Sequence, residues 1–205
     1  MQTYLGPRLA ANGQILALFK VPTRLGEVFM SVGRTEFGND ERAVVEVRRD
    51  ALFGLWRNDM PGAIRALPAR GLDAAVLSEK IELADEGFRL GISDPVPLME
   101  VRCGVRPRIG APSINETVAL NATAQPYLSV IDGVARALWL ASQGSPCFPV
   151  ECDVSEAPLL ARLAGTRRSR WMRVSEMLPL SSFPHGVHAS RADSTDSHSM
   201  KGAFH

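Results

Sequence analysis

The chain has few lysines, few cysteines and no long apolar run, and each shortage excludes a class of protein. No stretch approaches the roughly 20 apolar residues of a membrane helix, and the N-terminus lacks the charged and apolar regions of a signal peptide. The cysteines, Cys103, Cys147 and Cys152, form neither a paired framework nor the CxxC spacing of a zinc site. We therefore expect a cytoplasmic protein with free thiols and no membrane span.

Neither sign of charge is in excess, because 23 Lys and Arg stand against 22 Asp and Glu. This balance neither requires nor excludes nucleic acid as a partner. Only Lys20, Lys80 and Lys201 are lysine, so 20 of the 23 cations are arginine. The planar guanidinium suits bidentate phosphate contacts. A GC-rich coding bias would give the same composition, and composition alone does not separate the two explanations.

The length and apolar content predict one domain with a full core over residues 1–180. Residues 181–205 are rich in Ser, His, Ala and Asp and are expected to form a disordered tail. All four histidines lie in this tail, which argues against a hydrolase built on a packed catalytic histidine.

Periodicity and turn residues predict both strands and helices along the chain. Alternating or apolar runs predict strands at 15–19, 28–32, 43–47 and 96–101. Helical periodicity predicts helices at 51–58, 73–90, 156–163 and 172–177. Asp73 is expected to cap the helix that runs to residue 90. Ser155 is expected to cap the helix at 156–163, and Gly165 to end it. Residues 102–126 contain Gly104, Pro107 and Pro126 and are predicted to be irregular.

The most informative stretch is 127–152, YLSVIDGVARALWLASQGSPCFPVEC. It predicts a strand at 127–131, a turn at Asp132-Gly133, a helix at 134–143 and a strand at 148–152. A glycine turn before a helix directs free backbone N–H groups outward, which suits a phosphate, and Arg136 lies one turn into the helix. Asp132 could hold Mg²⁺ or orient Arg136. On pattern alone a plain turn, with Asp132 as cap and Arg136 solvated, is the commoner arrangement.

Two further arginine clusters are candidate phosphate contacts. The stretch 158–174 contains no acidic residue. It contains Trp171 and five arginines, which are Arg162, Arg167, Arg168, Arg170 and Arg173. Arginines interleaved with an aromatic residue suit the binding of single-stranded nucleic acid. A solvated helix end explains the same pattern equally well. Arg102, Arg106 and Arg108 would complete a pocket with Arg136 if their strands are neighbours, or else belong to an ordinary basic loop.

Three carboxylates are candidate metal ligands or general bases, at Glu100, Glu116 and Glu151. Isolated carboxylates are more often simply solvated.

The stretch 127–152, with DPVPLMEV at 94–101, resembles the ParB/sulfiredoxin fold, and this resemblance implies an α+β class with a mixed sheet flanked by helices. GFRLGISDPVPLMEV together with FPVECDVSEAPLLARLAG is similar to the plasmid fertility-inhibition factors, and the likeness covers about residues 80–165. The resemblance implies binding of ATP or another nucleotide, and of DNA, at the turn. It also implies possible Mg²⁺-dependent ATPase and DNase activity.

Carried over by position, the catalytic residues would be Asp132, Arg136 and Glu100, with Asp132 on the metal. Gly133, Arg136 and Arg102 would bind nucleotide. Ala135 and Val134 stand where such domains carry a basic residue or a reactive cysteine, so thiol chemistry is not expected. The predicted role is to block conjugative or T-DNA transfer (oncogenic suppression) through a type IV secretion system. The alternative is a non-catalytic module that blocks a secretion coupling protein by surface contact.

Overall fold

The computed structural model describes residues 1–35, 41–59, 74–108, 123–167 and 170–178. Two mixed sheets flanked by helices confirm the predicted α+β class. In the first sheet β1 (Tyr4–Leu9), β2 (Ile15–Thr23) and β3 (Gly26–Gly33) run antiparallel, and β5 (Val96–Pro97) joins β3 in parallel.

The second sheet has the order β7-β6-β8-β4-β9. Its strands are β4 (Arg42–Arg48), β6 (Met99–Arg108), β7 (Thr123–Asp132), β8 (Cys147–Asp153) and β9 (Met172–Arg173). The pair β6 and β8 is parallel, and the other neighbouring pairs are antiparallel.

The helices are α1 (Arg49–Asp59), α2 (Ala74–Arg89), α3 (Val134–Ser142), α4 (Ala157–Ala164) and α5 (Val174–Met177). Helices α1 and α4 pack against the second sheet, and α2 and α3 pack on each other. The core includes fully buried side chains from β2, β8, α3 and α4, namely Phe19, Phe148, Leu140 and Leu160. None of the described helices has the length and apolar character needed to cross a membrane.

The prediction of an irregular segment at 102–126 is wrong at both of its ends. Gly104 and Pro107 lie inside β6, and Pro126 lies inside β7. Pro126 is tolerated because β7 is an edge strand, where one side of the backbone needs no partner. Gly104 leaves room for the ring of Tyr127, whose hydroxyl oxygen would lie 2.7 Å from a Cβ at that position. Residues 109–122 lie outside the described ranges.

Several other boundaries differ from the predictions. Glu156, not Ser155, precedes α4, and the amide of Ser155 instead donates to Asp153. Residues 172–177 form β9 followed by the single turn of α5, because β9 pairs with β4 at Ala43. β1 was not predicted, since Gly6, Pro7 and Arg8 interrupt its apolar pattern. Asp73 and the tail at 181–205 lie outside the described residues.

The strand predicted at 96–101 divides at Leu98. Val96 and Pro97 pair with β3 of the first sheet, whereas Met99 and Glu100 pair with β8 of the second. The amide of Leu98 still donates to Ser31 of β3 at 3.0 Å. The chain therefore passes directly from one sheet to the other at this residue, and we call residues 97–98 the sheet junction.

Candidate functional site

The turn between β7 and α3 presents an uncapped helix N-terminus. Gly133 occupies the N-cap position with φ 88° and ψ 20°, and no side chain caps α3. The first helical hydrogen bond runs from the amide of Ala137 to the carbonyl oxygen of Gly133. The amides before Ala137 therefore have no partner within the helix, and they carry its partial positive charge.

Arg136 points back from α3 onto the sheet junction. Its Nη1 donates to the carbonyl oxygens of Pro97 at 2.8 Å and Leu98 at 3.1 Å. Its Nη2 donates to Asp132, which forms an ion pair one turn earlier in the chain. The Arg136 side chain is 14% exposed, so it is not the solvated surface arginine that the plain-turn interpretation implied.

Gly133 is required by both backbone conformation and space. Its φ lies in the left-handed region, which side chains other than glycine rarely adopt. A Cβ there would lie 2.9 Å from Met99 Cα and 3.0 Å from Arg136 Nε. The missing side chain thus lets the guanidinium of Arg136 pass beside the turn to reach the sheet junction.

Helix α2 faces this turn with one side. Lys80, Leu83, Ala84 and Gly87 follow the i, i+3, i+4, i+7 spacing of a single helix face. Two contacts hold α2 against α3: Phe88 stacks on Trp139 at 4.2 Å between ring centroids, and Trp139 Nε1 donates to Asp85 at 2.9 Å. This packing fixes the distance between Lys80 and the start of α3.

The space between α2 and the turn is a cleft of about 620 Å³, which we call the α2–α3 cleft. That volume lies within the range of small-molecule sites. Its walls are largely apolar, and Leu83 and Ile131 are 58% and 48% exposed there. Its charged members are Lys80, Arg136 and Asp132. An apolar wall beside a helix N-terminus and a cation suits a ligand with a planar apolar part and a phosphate.

The structure separates Glu100 and Arg102 from this cleft. Strands β6 and β7 are neighbours, and Glu100 lies opposite Asp132 in the ladder. Both Glu100 and Arg102 nevertheless line a different cleft, of about 660 Å³, beside Glu151 and Glu156. Five carboxylates line that second cleft, at Glu41, Glu100, Glu151, Asp153 and Glu156, so it does not suit a phosphate.

Arg106 and Glu151 also lie away from the α2–α3 cleft. Arg106 lies over the ring of Tyr127 at 5.2 Å, and Glu151 pairs with Arg42. The side chains of Arg108 and Glu116 lie outside the described part of the structure.

Of the C-terminal arginines, Arg173 lies at the opposite edge of the second sheet from the turn. Arg162, Arg167 and Arg170 are exposed, and Arg173 is half-buried in β9. Strand β9 is four strands from β7 in the sheet order, which corresponds to about 19 Å. Arg168 lies outside the described residues. A ligand in the α2–α3 cleft would therefore not reach Arg173.

Mg²⁺ has one candidate protein ligand at the cleft. Asp132 is the carboxylate there, and it is bonded to Arg136. Within the described ranges no group of three His, Cys, Asp or Glu side chains comes together to hold a metal ion. Mg²⁺ commonly takes one or two carboxylates together with nucleotide phosphates. Asp132 therefore fits an ion that arrives with a nucleotide, not an ion bound by the protein alone.

The cysteines have the inert character of core thiols. Cys103 and Cys152 are buried, and Cys147 is partly buried. Burial, with a smaller contribution from Glu156, raises the pKa of Cys103 to about 11. Burial also raises the pKa of Cys152 and of Cys147. These thiols stay protonated at neutral pH.

A model of the plasmid fertility inhibition factor domain matches residues 44–165, which is more than half of the chain. The chain belongs to the plasmid fertility inhibition factor family. The matched region contains α2, β5 to β8, α3 and α4, and therefore the whole α2–α3 cleft. Strands β1 to β3 and β9 lie outside it.

A solved structure of this family has a similar fold. It is the crystal structure of the oncogenic suppression activity protein, a plasmid fertility inhibition factor, as a gold(I) cyanide derivative. The TM-score is 0.56 at 20% identity, over 83% of this chain and 79% of that one. At this identity the likeness shows the fold alone. No curated protein sequence matches the chain.

Lys80 is the cleft residue that sequence reasoning missed in this family member. The sequence contains a signal for it, because Lys80, Ala84 and Gly87 share one face of the predicted helix and two of these residues are small enough to leave space for a ligand. Its importance depends on α2 packing beside the turn, and periodicity does not show which helix packs there.

Proposed function

We propose that this protein restrains conjugative or T-DNA transfer through a type IV secretion system, and that nucleotide or DNA phosphate bound in the α2–α3 cleft is part of that action. The family membership supports the general role. One observation carries the finer proposal: the uncapped N-terminus of α3 opens onto a cleft with an apolar wall and Lys80. The helix dipole and free amides favour an anion there.

The chain's own residues would act by binding and orientation. Amides of the first turn of α3 would donate to phosphate oxygens, and Leu83 and Ile131 would cover a base. Asp132 would hold Mg²⁺ that accompanies the nucleotide, and such an ion neutralises phosphate charge. ATPase and DNase activity stay second to binding in this proposal, because Glu100 lines the neighbouring cleft and Arg136 is already bonded to the sheet junction.

Ala135 offers a variant that separates binding from folding. It is the second residue of α3 and lines the cleft. In Ala135→Glu a carboxylate near the helix N-terminus suits the helix dipole but repels phosphate. Ala135→Gln has nearly the same size without the charge. We expect Ala135→Glu, and not Ala135→Gln, to lose ATP binding and to restore transfer from a donor cell.

The outcome that would overturn the nucleotide proposal is normal transfer inhibition by Ala135→Glu. That result would favour the second candidate, a non-catalytic module that blocks a secretion coupling protein by surface contact. Its supporting observation is the state of Arg136, which contacts Pro97, Leu98 and Asp132 instead of presenting a free guanidinium.

DNA contact by the C-terminal arginines is a separate part of the proposal. Arg167 and Arg170 are exposed and come shortly before β9, an edge strand of the second sheet, and Arg162 is exposed on α4. Reversal of these charges to Glu should weaken DNA binding and reduce the salt dependence of the binding constant, since each lost phosphate contact lowers the slope. The control is Arg8→Glu on β1, in the other sheet. An unchanged slope in the triple variant would contradict DNA contact by these arginines.

A further inference from the structure

We infer that Lys80 is the cation that contacts the ligand's phosphate and that Arg136 is a positioning residue, which holds the turn against the sheet junction. This assignment rests on the proposed function and names the residues that perform it. It reverses the expectation from sequence, in which Arg136 was the phosphate contact and Lys80 had no role.

Arg136 has three of its five N–H donors committed to the protein. Nη1 donates to two carbonyl oxygens and Nη2 to Asp132. Release of the guanidinium toward a ligand would leave the carbonyls of Pro97 and Leu98 without this donor. The loss at Leu98 is the costlier of the two, because Leu98 is buried whereas Pro97 is exposed. The energetically consistent role of Arg136 is therefore to join β7, α3 and the sheet junction.

Lys80 has the opposite character. It is exposed, lines the α2–α3 cleft, and makes no ion pair with any residue in the described ranges. Its own helix provides no acidic partner, because the positions three and four residues away are all apolar: Val76, Leu77, Leu83 and Ala84. An ammonium group on a flexible stem can follow a phosphate at the start of α3.

The packing of α2 on α3 gives Lys80 its place. Trp139 of α3 stacks on Phe88 and donates to Asp85, so α2 is fixed two turns from Lys80. Ala84 and Gly87 also line the cleft, and their small size leaves space between Lys80 and the turn. One wall of the cleft thus carries the ammonium group of Lys80 on its flexible stem, and the other wall carries the backbone amides at the start of α3.

The test measures binding of ATP and of inorganic triphosphate by calorimetry at several salt concentrations. Lys80→Gln should weaken binding of both probes about tenfold, as expected for one charge-assisted contact. It should also make binding less sensitive to salt. Lys20→Gln is the matched control, because Lys20 is a surface lysine of β2 paired with Glu27, and it should bind like the wild type.

Arg136→Ala should behave differently. Hydrogen exchange at residues 96–100 and 133–137 should become faster without any ligand, while the salt sensitivity of binding stays that of the wild type. If Arg136→Ala does not fold, the comparison of Lys80→Gln with Lys20→Gln decides alone. Wild-type affinity and salt dependence in Lys80→Gln would overturn the assignment and leave the proposed function intact. A wild-type protein that binds neither probe would overturn both.

Discussion

Arg136 Nη1 lies 2.8 Å from the carbonyl oxygen of Pro97, at the point where the chain leaves one sheet and enters the other. This contact connects the turn before α3 to both sheets at once. The strand predicted at 96–101 divides at Leu98, whose carbonyl also accepts from Arg136 Nη1. The candidate site and the framework of the fold therefore share a residue.

Replacement of Arg136 by Ala should lower the free energy of unfolding by about 1–3 kcal/mol, because the carbonyl of the buried Leu98 loses a donor. A matched control exists in Arg89, which also pairs with an aspartate four residues earlier but is 76% exposed. Arg89→Ala should cost less than about 0.5 kcal/mol. Urea denaturation measures both values, and equal losses would contradict the structural role of Arg136.

Replacement of Gly133 by Ala should destabilise the protein more than replacement of Gly91 by Ala. Both glycines have positive φ, 88° and 65°, so each variant carries the backbone cost of about 1–2 kcal/mol. Only at Gly133 does the added Cβ meet backbone, at 2.9 Å from Met99 Cα, whereas nothing lies within 4 Å at Gly91. We expect a difference above about 1 kcal/mol in thermal or urea unfolding. Similar losses would mean that the turn relaxes away from β6.

Glu46 is a fully buried carboxyl group that sequence reasoning did not single out. Its Oε2 accepts from the amides of Gln2 and Thr3 and from the Thr3 hydroxyl, and its Oε1 accepts from the Thr166 hydroxyl. Glu46→Ala should cost about 3 kcal/mol or more, because these donors lose their acceptor. Amide exchange at residues 2–4 should also become faster.

The control for Glu46 is Glu27→Ala, which removes an exposed carboxylate of β3 that pairs with Lys20. That change should cost less than about 1 kcal/mol. If Glu46→Ala unfolds at the same urea concentration as Glu27→Ala, the buried contacts contribute little to stability.

The raised pKa of the core cysteines predicts a loss of stability at alkaline pH. Unfolded thiols lose their protons near pH 9, whereas folded Cys103 keeps its proton up to about pH 11. The folded state then binds more protons than the unfolded state, so stability is full below about pH 9 and falls as the pH rises through 11. The double variant Cys103→Ala, Cys152→Ala should show a flatter curve over this window. Parallel curves in urea denaturation would show that other groups cause the decline.

Much of the fold could be predicted from the sequence, because its strongest elements carry local signals. Apolar alternation located β2, β3, β4 and β8, and the Asp132-Gly133 pair located the start of α3. The turn at Gly133 was predicted from the freedom of glycine, and its φ agrees. These features depend on residues close together in the chain.

The remainder depends on contacts between distant residues. The break at Leu98 depends on the pairing of residues 96–97 with β3 and of residues 99–100 with β8. Gly104 and Pro126 lie within strands because Tyr127 covers the glycine and β7 lies at a sheet edge. Lys80 joins the site only because Trp139 holds α2 beside α3. Local propensity contains none of these relationships.

Hydrogen exchange of the wild-type protein with and without ATP tests the occupancy of the α2–α3 cleft most directly. The account predicts slower exchange with ATP at residues 80–87 and 133–137, which form the two walls, and no change in β1 and β2. Unchanged exchange at both walls under saturating ATP, or protection confined to the first sheet, would contradict the claim that this cleft is the ligand site.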